Sequence, residues 1–387
     1  MANTLTGLIQ TIYDARNVVS RERIGFIPAV TKNSTAAYAA LNETIRVSVA
    51  NAVTSEADNT AAVTPPDTGD VTGSYVDMTI SKSQHIPVRF NGEEMRGLRN
   101  TGNYEDFVSQ RFQQAFRRLD NLIEIDLASS YKEASRATGT PGTTPFNTAN
   151  TISDFANVLK ILDDNGAPPD GLRLILSNAA IQNLRGKQSN FWKANEAGTT
   201  EMLRKGMMTE AFGFAIGQSG QVANHTKGTA AATSTLTSTD YAVGATTLTL
   251  ASTGTGTIVA GDQINIAGEN NGIYYGVSTG DADVSDGGTF VLNKPGLTIA
   301  QTTNTSAITT NNFSANLAFH PSAIQFLSRV PDMGDDMAIS KQMIYDEVSG
   351  ITYEVAEYPG FGQTTFHVRL AWGWKVVNPQ HVAVLFG

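Results

Sequence analysis

The sequence predicts an α+β body interrupted by an all-β insertion. Three observations carry this. One apolar stripe at helical spacing runs through residues 103–136. Alternating strand patterns flank it on both sides, and the last reaches the C-terminus. Between residues 222 and 311 the composition changes. Charged residues fall to 8 of 90, against 55 of the other 297, while Thr rises to 20 of 90.

At 387 residues the chain is long enough for two or three compact units. Charged residues make up 16%, so a disordered polyelectrolyte is excluded. A net charge of −9 argues against a strongly basic nucleic-acid binder. The lack of Cys excludes disulfide scaffolds, Cys-ligated zinc, iron–sulfur clusters and thiol catalysis. Asp14, Arg16, Arg21, Glu22 and Arg23 interrupt any apolar run near the start, so a secretory signal is not expected. No window approaches 18 consecutive apolar residues, so no membrane helix is expected either. The expected product is a soluble, acidic protein of a reducing cytosol.

The first element is an arm. Leu5, Leu8, Ile9 and Ile12 have helical spacing, which Ile24-Gly25-Phe26-Ile27-Pro28 breaks. So many large apolar residues predict docking on another surface. Residues 44–90 read as a long β-hairpin, with alternation over Thr44–Val49, Val76–Ile80 and Ile86–Phe90. Its loop, residues 54–73, holds Pro65-Pro66 and four acidic residues. A hairpin of that length cannot bury its own faces and needs a partner surface. The long helix follows, its stripe made by Phe112, Phe116, Leu119, Ile123, Leu127 and Tyr131. Rising ~1.5 Å per residue, it would span ~50 Å and act as a strut. Arg111, Arg117, Arg118, Glu124, Asp126 and Lys132 read as its solvated face.

After a Gly/Pro/Thr-rich break, residues 151–221 look α/β. Ser153 is expected to cap a helix carrying Phe155, Val158, Leu159 and Leu162 and closed by Gly166. Leu172–Leu176 reads as a buried strand, and Ser177 caps a second helix through Leu184. Thr199–Gly206 reads as a third helix and Phe212–Ile216 as a short strand. In the insertion, strands are expected at Thr246–Leu250, Gln263–Ile266, Ile273–Val277 and Thr289–Leu292, suggesting a small antiparallel barrel or sandwich. Beyond it, Pro321–Arg329 is predicted as a helix. Strands are predicted at Met337–Tyr345, Ile351–Ala356, Thr365–Ala371 and Trp374–Val377. Val382–Phe386 is apolar enough to be tied into a sheet.

The search for chemistry returns structural readings. His85, His225, His320, His367 and His381 include no H-x-x-x-H pair, and each reads as a surface or structural histidine. Gly217-Gln218-Ser219-Gly220 is one residue short of a nucleophile elbow. Gly256 and Gly261 have phosphate-loop spacing, but Asp262 replaces the required Lys. Asp281–Gly287 resembles a calcium loop that lacks its central Gly and its last acid, where Leu292 stands; an acidic turn is the simpler account, and cation binding at Asp281–Asp286 stays open. Asp332, Asp335 and Asp336 read as a helix-to-strand turn. Trp372 and Trp374 flank Gly373 on one strand face and read as packing. A hydrolase using His320 with Asp332 or Asp335 is the weakest reading, because no nucleophile stands out. No catalytic residue, cofactor or metal is assigned, and an enzyme is not expected. What the sequence offers instead is an arm, an unsupported hairpin, a strut helix and an insertion. Such extended parts point to assembly, where one chain makes several different contacts with its neighbours.

The order of these parts resembles the tailed-phage major capsid protein, the Hong Kong-97-type fold. Met207–Ile216 resembles the family's segment ending in a Gly-Phe strand, and Asn316–Ile324 its Ala-Phe-His-x-x-Ala-Ile stretch. Arg369–Pro379 followed by His381–Val384 is similar to its last strands. Gly261–Gly268 resembles the extra β-barrel of the short-tailed-phage coat protein branch. The resemblance implies an N-terminal arm (1–43), an extended hairpin loop (44–90) and a peripheral domain with the spine helix (91–150). It further implies an axial domain (151–221), an inserted barrel (222–311) and a return to the axial and peripheral domains (312–387). It implies hexamers and pentamers of a shell around double-stranded DNA, in the virion and assembled in the host cytoplasm. A separate scaffolding protein and a portal are expected partners, with room for a decoration protein and no membrane. Lys82 is the one residue near the hairpin suited to a Lys–Asn cross-link, and no cross-link is expected. Arg111, Arg117 and Arg118 are the residues that could face DNA. The alternative is a receptor- or carbohydrate-binding structural protein of a tail or surface, motivated by the Thr-rich insertion.

Overall fold

The computed structural model describes residues 22–49, 74–93, 95–96, 104–147, 152–186, 210–231, 234–237, 240–267, 272–301, 307–334, 337–346 and 349–387. The expected helix over 5–12, the hairpin loop 54–73, the helix 199–206, the Met207–Thr209 part of the family segment and Asp335 and Asp336 lie outside the described residues.

Strands β1 (Thr31–Ala39), β2 (Thr44–Val49), β3 (Ser74–Thr79) and β4 (Lys82–Asn91) precede the spine helix α1 (Tyr104–Ala128). The expected single hairpin is two structures. β2 and β3 pair only with each other, whereas β4 leaves them to join a larger sheet. Helix α1 is 25 residues long, ~38 Å at ~1.5 Å per residue, and shorter than its sequence suggests. The stripe continues into a 3-10 turn, Ser129–Glu133, where Ser129 Oγ donates to the Asp126 carbonyl and Tyr131 stays buried.

Downstream come β5 (Arg136–Thr138), α2 (Ser153–Asp164), β6 (Leu172–Leu176), α3 (Asn178–Arg185), β7 (Glu210–Ala211) and β8 (Phe214–Gln218). Ser177 caps α3 as expected, accepting from the Ala180 N–H. Helix α2 is capped by Ile152 without a side-chain bond, so Ser153 is its first residue and not its cap. The insertion carries β9 (Asn224–His225), β10 (Thr247–Thr249), β11 (Gln263–Ile266), β12 (Ile273–Thr279), β13 (Thr289–Leu292) and β14 (Ile308–Thr310). The chain ends with β15 (Phe313–Phe319), β16 (Ile324–Pro331), β17 (Ser340–Asp346), β18 (Ile351–Gly360), β19 (Gln363–Val376) and β20 (Val382–Phe386).

Two sheets organise these strands. In the first, β19 is the backbone element. β4 covers one side of it from Gln363 to Trp372, while β18 and then β16 line the other side end to end. β17 and β1 extend the sheet beyond β18 and β16. The stripe of α1 packs on its inner face, Phe112 edge-on to Phe366 at 5.4 Å and Phe116 to Tyr353 at 5.3 Å. The predicted helix at Pro321–Arg329 is corrected here: only Pro321–Ala323 turns, as 3-10, and Ile324 onward is β16. Flanked by β1 and β19 and covered on both faces, β16 is buried at seven of its eight positions, Ser328 and Arg329 included, instead of alternating. The predicted break between Ala371 and Trp374 is also absent, since β19 runs through Gly373.

The second sheet runs β5-β20-β15-β6-β8-β7, with α2 and α3 packed on it through Phe155, Val158, Leu162 and Leu184. The C-terminal strand β20 lies inside it, between β15 and β5, as its apolar sequence requires. The inserted strands pair in the order β10-β13-β12-β11-β14 around their own apolar cluster, which includes Leu248, Ile264, Tyr275, Val277 and Phe290. The insertion is hydrogen-bonded to the body through β12, which pairs with β5, and through β9, which pairs with β15.

Candidate functional site

Several of the described chemical candidates have structural partners. His85 and His367 stack at 4.4 Å across β4 and β19. His320 Nδ1 lies 2.7 Å from Ser322 Oγ, inside the 3-10 turn it caps; Asp332 instead accepts from the Gly334 N–H. Burial, and then His320, lower the affinity of His381 for a proton. Ser219 of the elbow-like segment is buried and donates to Glu124. Asp262 is buried and accepts from the N–H groups of Val259 and Gly228, so the phosphate-loop spacing is a turn. Asp281 and Asp283 accept from N–H groups of their own loop, those of Asp283 and Ser285. Among the described residues no three His, Asp or Glu side chains converge as a metal ion would require. No helix among them is long and apolar enough to cross a membrane. Trp372 is fully buried and Trp374 packs on the same core.

The solvated-face reading of α1 needs correction, because Glu124 and Asp126 are buried, as is Asp120. Each ties the helix to a different segment. Asp120 Oδ1 accepts from the Tyr353 hydroxyl of β18 at 2.5 Å. Burial, and then Asp120, push the Tyr353 hydroxyl well above the usual tyrosine range. Asp126 accepts from Trp372 Nε1 of β19 at 2.8 Å and from Lys82 Nζ of β4 at 2.5 Å. The cross-link candidate Lys82 is thus engaged in an ion pair within its own chain. Glu124 Oε2 accepts from the Gly25 and Phe26 N–H groups, both at 3.2 Å, and from Ser219 Oγ at 2.7 Å. Its Oε1 accepts from the Ile27 N–H at 2.8 Å. The apolar arm residues Phe26 and Ile27 are fully buried, so the root of the arm docks on its own spine helix. Two turns earlier, the Arg117 guanidinium clamps Glu22 through Nε and Nη2, and Asn121 donates to the same carboxylate. Those hydrogen bonds, Arg117 first, hold the Glu22 carboxyl down at about 2. Arg117 is therefore occupied, whereas Arg118 is exposed and Arg111 lies over the Phe107 ring.

A fourth tie fastens the insertion. Tyr131 Oη lies 2.8 Å from His225 Nδ1, and His225 Nε2 lies 2.7 Å from Asp262 Oδ1, all three buried. Asp262 has only acceptor oxygens when ionised, so it fixes the His225 proton on Nε2. Burial, and then Asp262, raise the Tyr131 hydroxyl to about 12. Asn293 Nδ2 donates to the carbonyls of Lys132 and Ala134 at 2.9 and 2.8 Å. None of these ties was read from the sequence. The one available signal was the pair of acids Asp120 and Glu124, four residues apart beside an apolar stripe.

Among the described residues several large apolar side chains are left uncovered. Met337, Ile339, Met343 and Tyr345, on and before β17, are exposed along one sheet edge. Phe361 stands fully exposed at the turn between β18 and β19. The β2–β3 hairpin packs one face on the body, Met78 and Ile80 against Ala39, Leu327 and Ala371, with Ile45 and Val47 half-buried on the same cluster. Further out, its strands alternate between exposed and half-buried residues.

No known sequence family matches the chain. No curated relative matches it. Solved structures do. A chain from Mycobacterium phage Che8 is 16% identical, with 89% of this chain and 84% of that one covered, at a TM-score of 0.43. In the capsid of the cyanophage P-SCSP1u, a chain is 12% identical, with 95% and 89% covered, at 0.45. A chain from the capsid of a native GTA particle is 10% identical, with 95% and 91% covered, at 0.46. Over nearly its whole length the chain is similar to these phage and capsid chains.

Proposed function

We propose that this chain is the major capsid protein of a tailed phage. Copies of it form hexamers and pentamers of an icosahedral shell around double-stranded DNA, so its place is the virion. The observation that carries the reading is the β2–β3 hairpin, whose strands pair with no third described strand and whose one face is exposed while Ile45, Val47 and Val49 on the other are only half-buried. An isolated two-stranded hairpin is marginal in water, so the part of this one left half-buried by its own chain gains from a further packing surface. The apolar edge at β17 and the exposed Phe361 ask for the same. The sequence resemblance to capsid proteins names the other molecule as a further copy.

In this reading residues 1–43 are the arm, 44–90 the extended loop, and 91–150 the peripheral domain with its spine helix. Residues 151–221 and 312–387 build the axial domain and complete the peripheral one. Residues 222–311 are an inserted barrel. Its strand order is extended by isolated bridges from Thr235 to Ala307 and from Leu236 to Leu250, which link the β14 end back to the β10 end. A scaffolding protein and a portal are its assembly partners, and a decoration protein is compatible with the exposed insertion. Contact with packaged DNA is non-specific and salt-sensitive. The subunits are held without a covalent cross-link, Lys82 being paired with Asp126.

Electron microscopy of the purified protein, alone and coexpressed with the genes beside its own, tests this. Closed shells tens of nanometres across are expected. Discrete oligomers of a few chains under both conditions would overturn it.

A further inference from the structure

The root of the arm is fastened by an arrangement that assembly alone does not require. Three consecutive backbone N–H groups, of Gly25, Phe26 and Ile27, converge on one carboxylate that is itself fully buried. The fourth donor, Ser219 Oγ, comes from the turn after β8. Arm and turn also touch directly. The Gly220 N–H donates to the Arg23 carbonyl, and a Cβ on Gly25 would lie 2.9 Å from the Gln218 carbonyl oxygen. One side chain on the spine helix therefore holds two segments that are themselves in contact.

We infer that the arm root is a latch operated by a proton on Glu124, closed more firmly at mildly acidic than at neutral pH and opening locally while the spine helix stays folded. The geometry supplies a place for the proton. Ser219 is the only donor of the four that can reverse its role, because a hydroxyl both gives and accepts whereas a backbone N–H only gives. With Oε2 protonated toward Ser219 Oγ, Oε1 still accepts from Ile27. Without that proton, a full charge sits buried against Gly25, Phe26, Ile27 and Ser219 with no cation among its hydrogen-bond partners.

The sign follows from linkage. Burial, only partly opposed by the hydrogen bonds from Ile27, Ser219, Gly25 and Phe26, raises the Glu124 carboxyl above its ordinary 4.5. A group raised in the closed state contributes stability that is fully present below its open-state value and lost as pH rises through its closed-state value. The surrounding charges do not share that window. On the arm, Glu22 is held at about 2 by Arg117 and Asn121, so its contribution is lost only as pH falls below 4.5. Arg117 is pushed above its ordinary value by Glu22 and keeps its charge throughout, and Arg23 is the other cationic side chain of the arm root. Asp120, one helical turn away, is bonded to Tyr353. The turn 217–221 has no ionisable side chain.

The test is amide hydrogen exchange in the full-length unassembled subunit between pH 5 and pH 8, corrected for the intrinsic rate. Protection of the Phe26 and Ile27 amides is expected to fall with rising pH, by up to about tenfold per unit while one proton is lost. Amides of α1 such as Leu119 are expected to keep constant protection. In Glu124→Gln, which keeps the shape and cannot titrate, the arm amides should lose their pH slope. In Ser219→Ala, the carboxyl remains, so the slope should persist at lower protection. Constant arm protection in the wild type would overturn the inference. So would an equal slope in α1, a retained slope in Glu124→Gln or a lost one in Ser219→Ala.

Discussion

Asp126 offers a quantitative test of how the hairpin side of the molecule is held. Its carboxylate joins α1 to β19 through the Trp372 indole and to β4 through the Lys82 ammonium. The two contacts look alike on distance and differ in environment. Trp372 is fully buried, so its N–H has no access to water if Asp126 is removed. A buried donor left without an acceptor costs about 1–3 kcal/mol. The Lys82 side chain keeps 43% of its exposure, and an ion pair that wet is worth about 0–1 kcal/mol. Asp126→Ala should therefore destabilise the subunit by about 2–3 kcal/mol, mostly through the indole. Urea unfolding of the unassembled subunit, arranged as two double-mutant cycles, separates the contributions. The Asp126→Ala and Trp372→Phe cycle should give a coupling of about 1–2 kcal/mol, because Phe removes the stranded donor. The cycle with Lys82→Met should give about 0.5 kcal/mol or less, shrinking further in salt. A Lys82 coupling larger than the Trp372 coupling would refute the reasoning, since burial would then not be what decides between two bonds of similar length.

Two further predictions use the same unassembled subunit. A Cβ on Gly373 would lie 2.1 Å from the Thr79 carbonyl oxygen, where the hairpin crosses β19. Gly373→Ala should cost about 1–3 kcal/mol, as overpacking does, while Gly220→Ala, with only Asn178 Nδ2 at 3.9 Å, should be neutral in the same melt. Asn293→Ala leaves the Lys132 and Ala134 carbonyls without their donor and should cost about 1–3 kcal/mol. Its exchange signature should be loss of protection in β5 and β12; unchanged protection there would mean that the insertion is fastened elsewhere.

What was legible in the sequence follows from how each strand is covered. In the insertion, β11 and β13 begin and end where alternation places them. Leu172–Leu176 was equally clear, a short apolar run bounded by Gly171 and the cap Ser177. β16 failed for the opposite reason. With β1 and β19 beside it and both faces covered, Ala323, Ile324, Phe326 and Leu327 carry no period of two and fit a helical wheel as well. The end of α1 was hidden because Tyr131 prolongs the stripe after the helix has tightened to 3-10. The ties on α1 were illegible for a different reason. Glu124 is satisfied chiefly by backbone N–H groups, which every residue but Pro possesses, so no residue type at any spacing announces its partners.

The distribution of polar and apolar contacts separates two tasks. Asp120, Glu124 and Asp126 occupy seven residues of one helix, yet each is satisfied by a different segment: β18, the arm with the 219 turn, and β19 with β4. Replacing a buried charge by a well-packed apolar group is often neutral or stabilising, so these three acids are poorly explained as a source of stability. They are well explained as a source of position. An apolar stripe tolerates a helix that slides or rotates by a fraction of a turn, whereas three carboxylates with separate partners permit one setting. The exposed apolar groups at Phe361, Met337 and Ile339 have no such constraint and supply area without direction. For a subunit that must present several different contacts at fixed angles, the directional bonds belong inside, where they set the relative placement of arm, hairpin and sheet. The non-directional area belongs outside, where association draws on it.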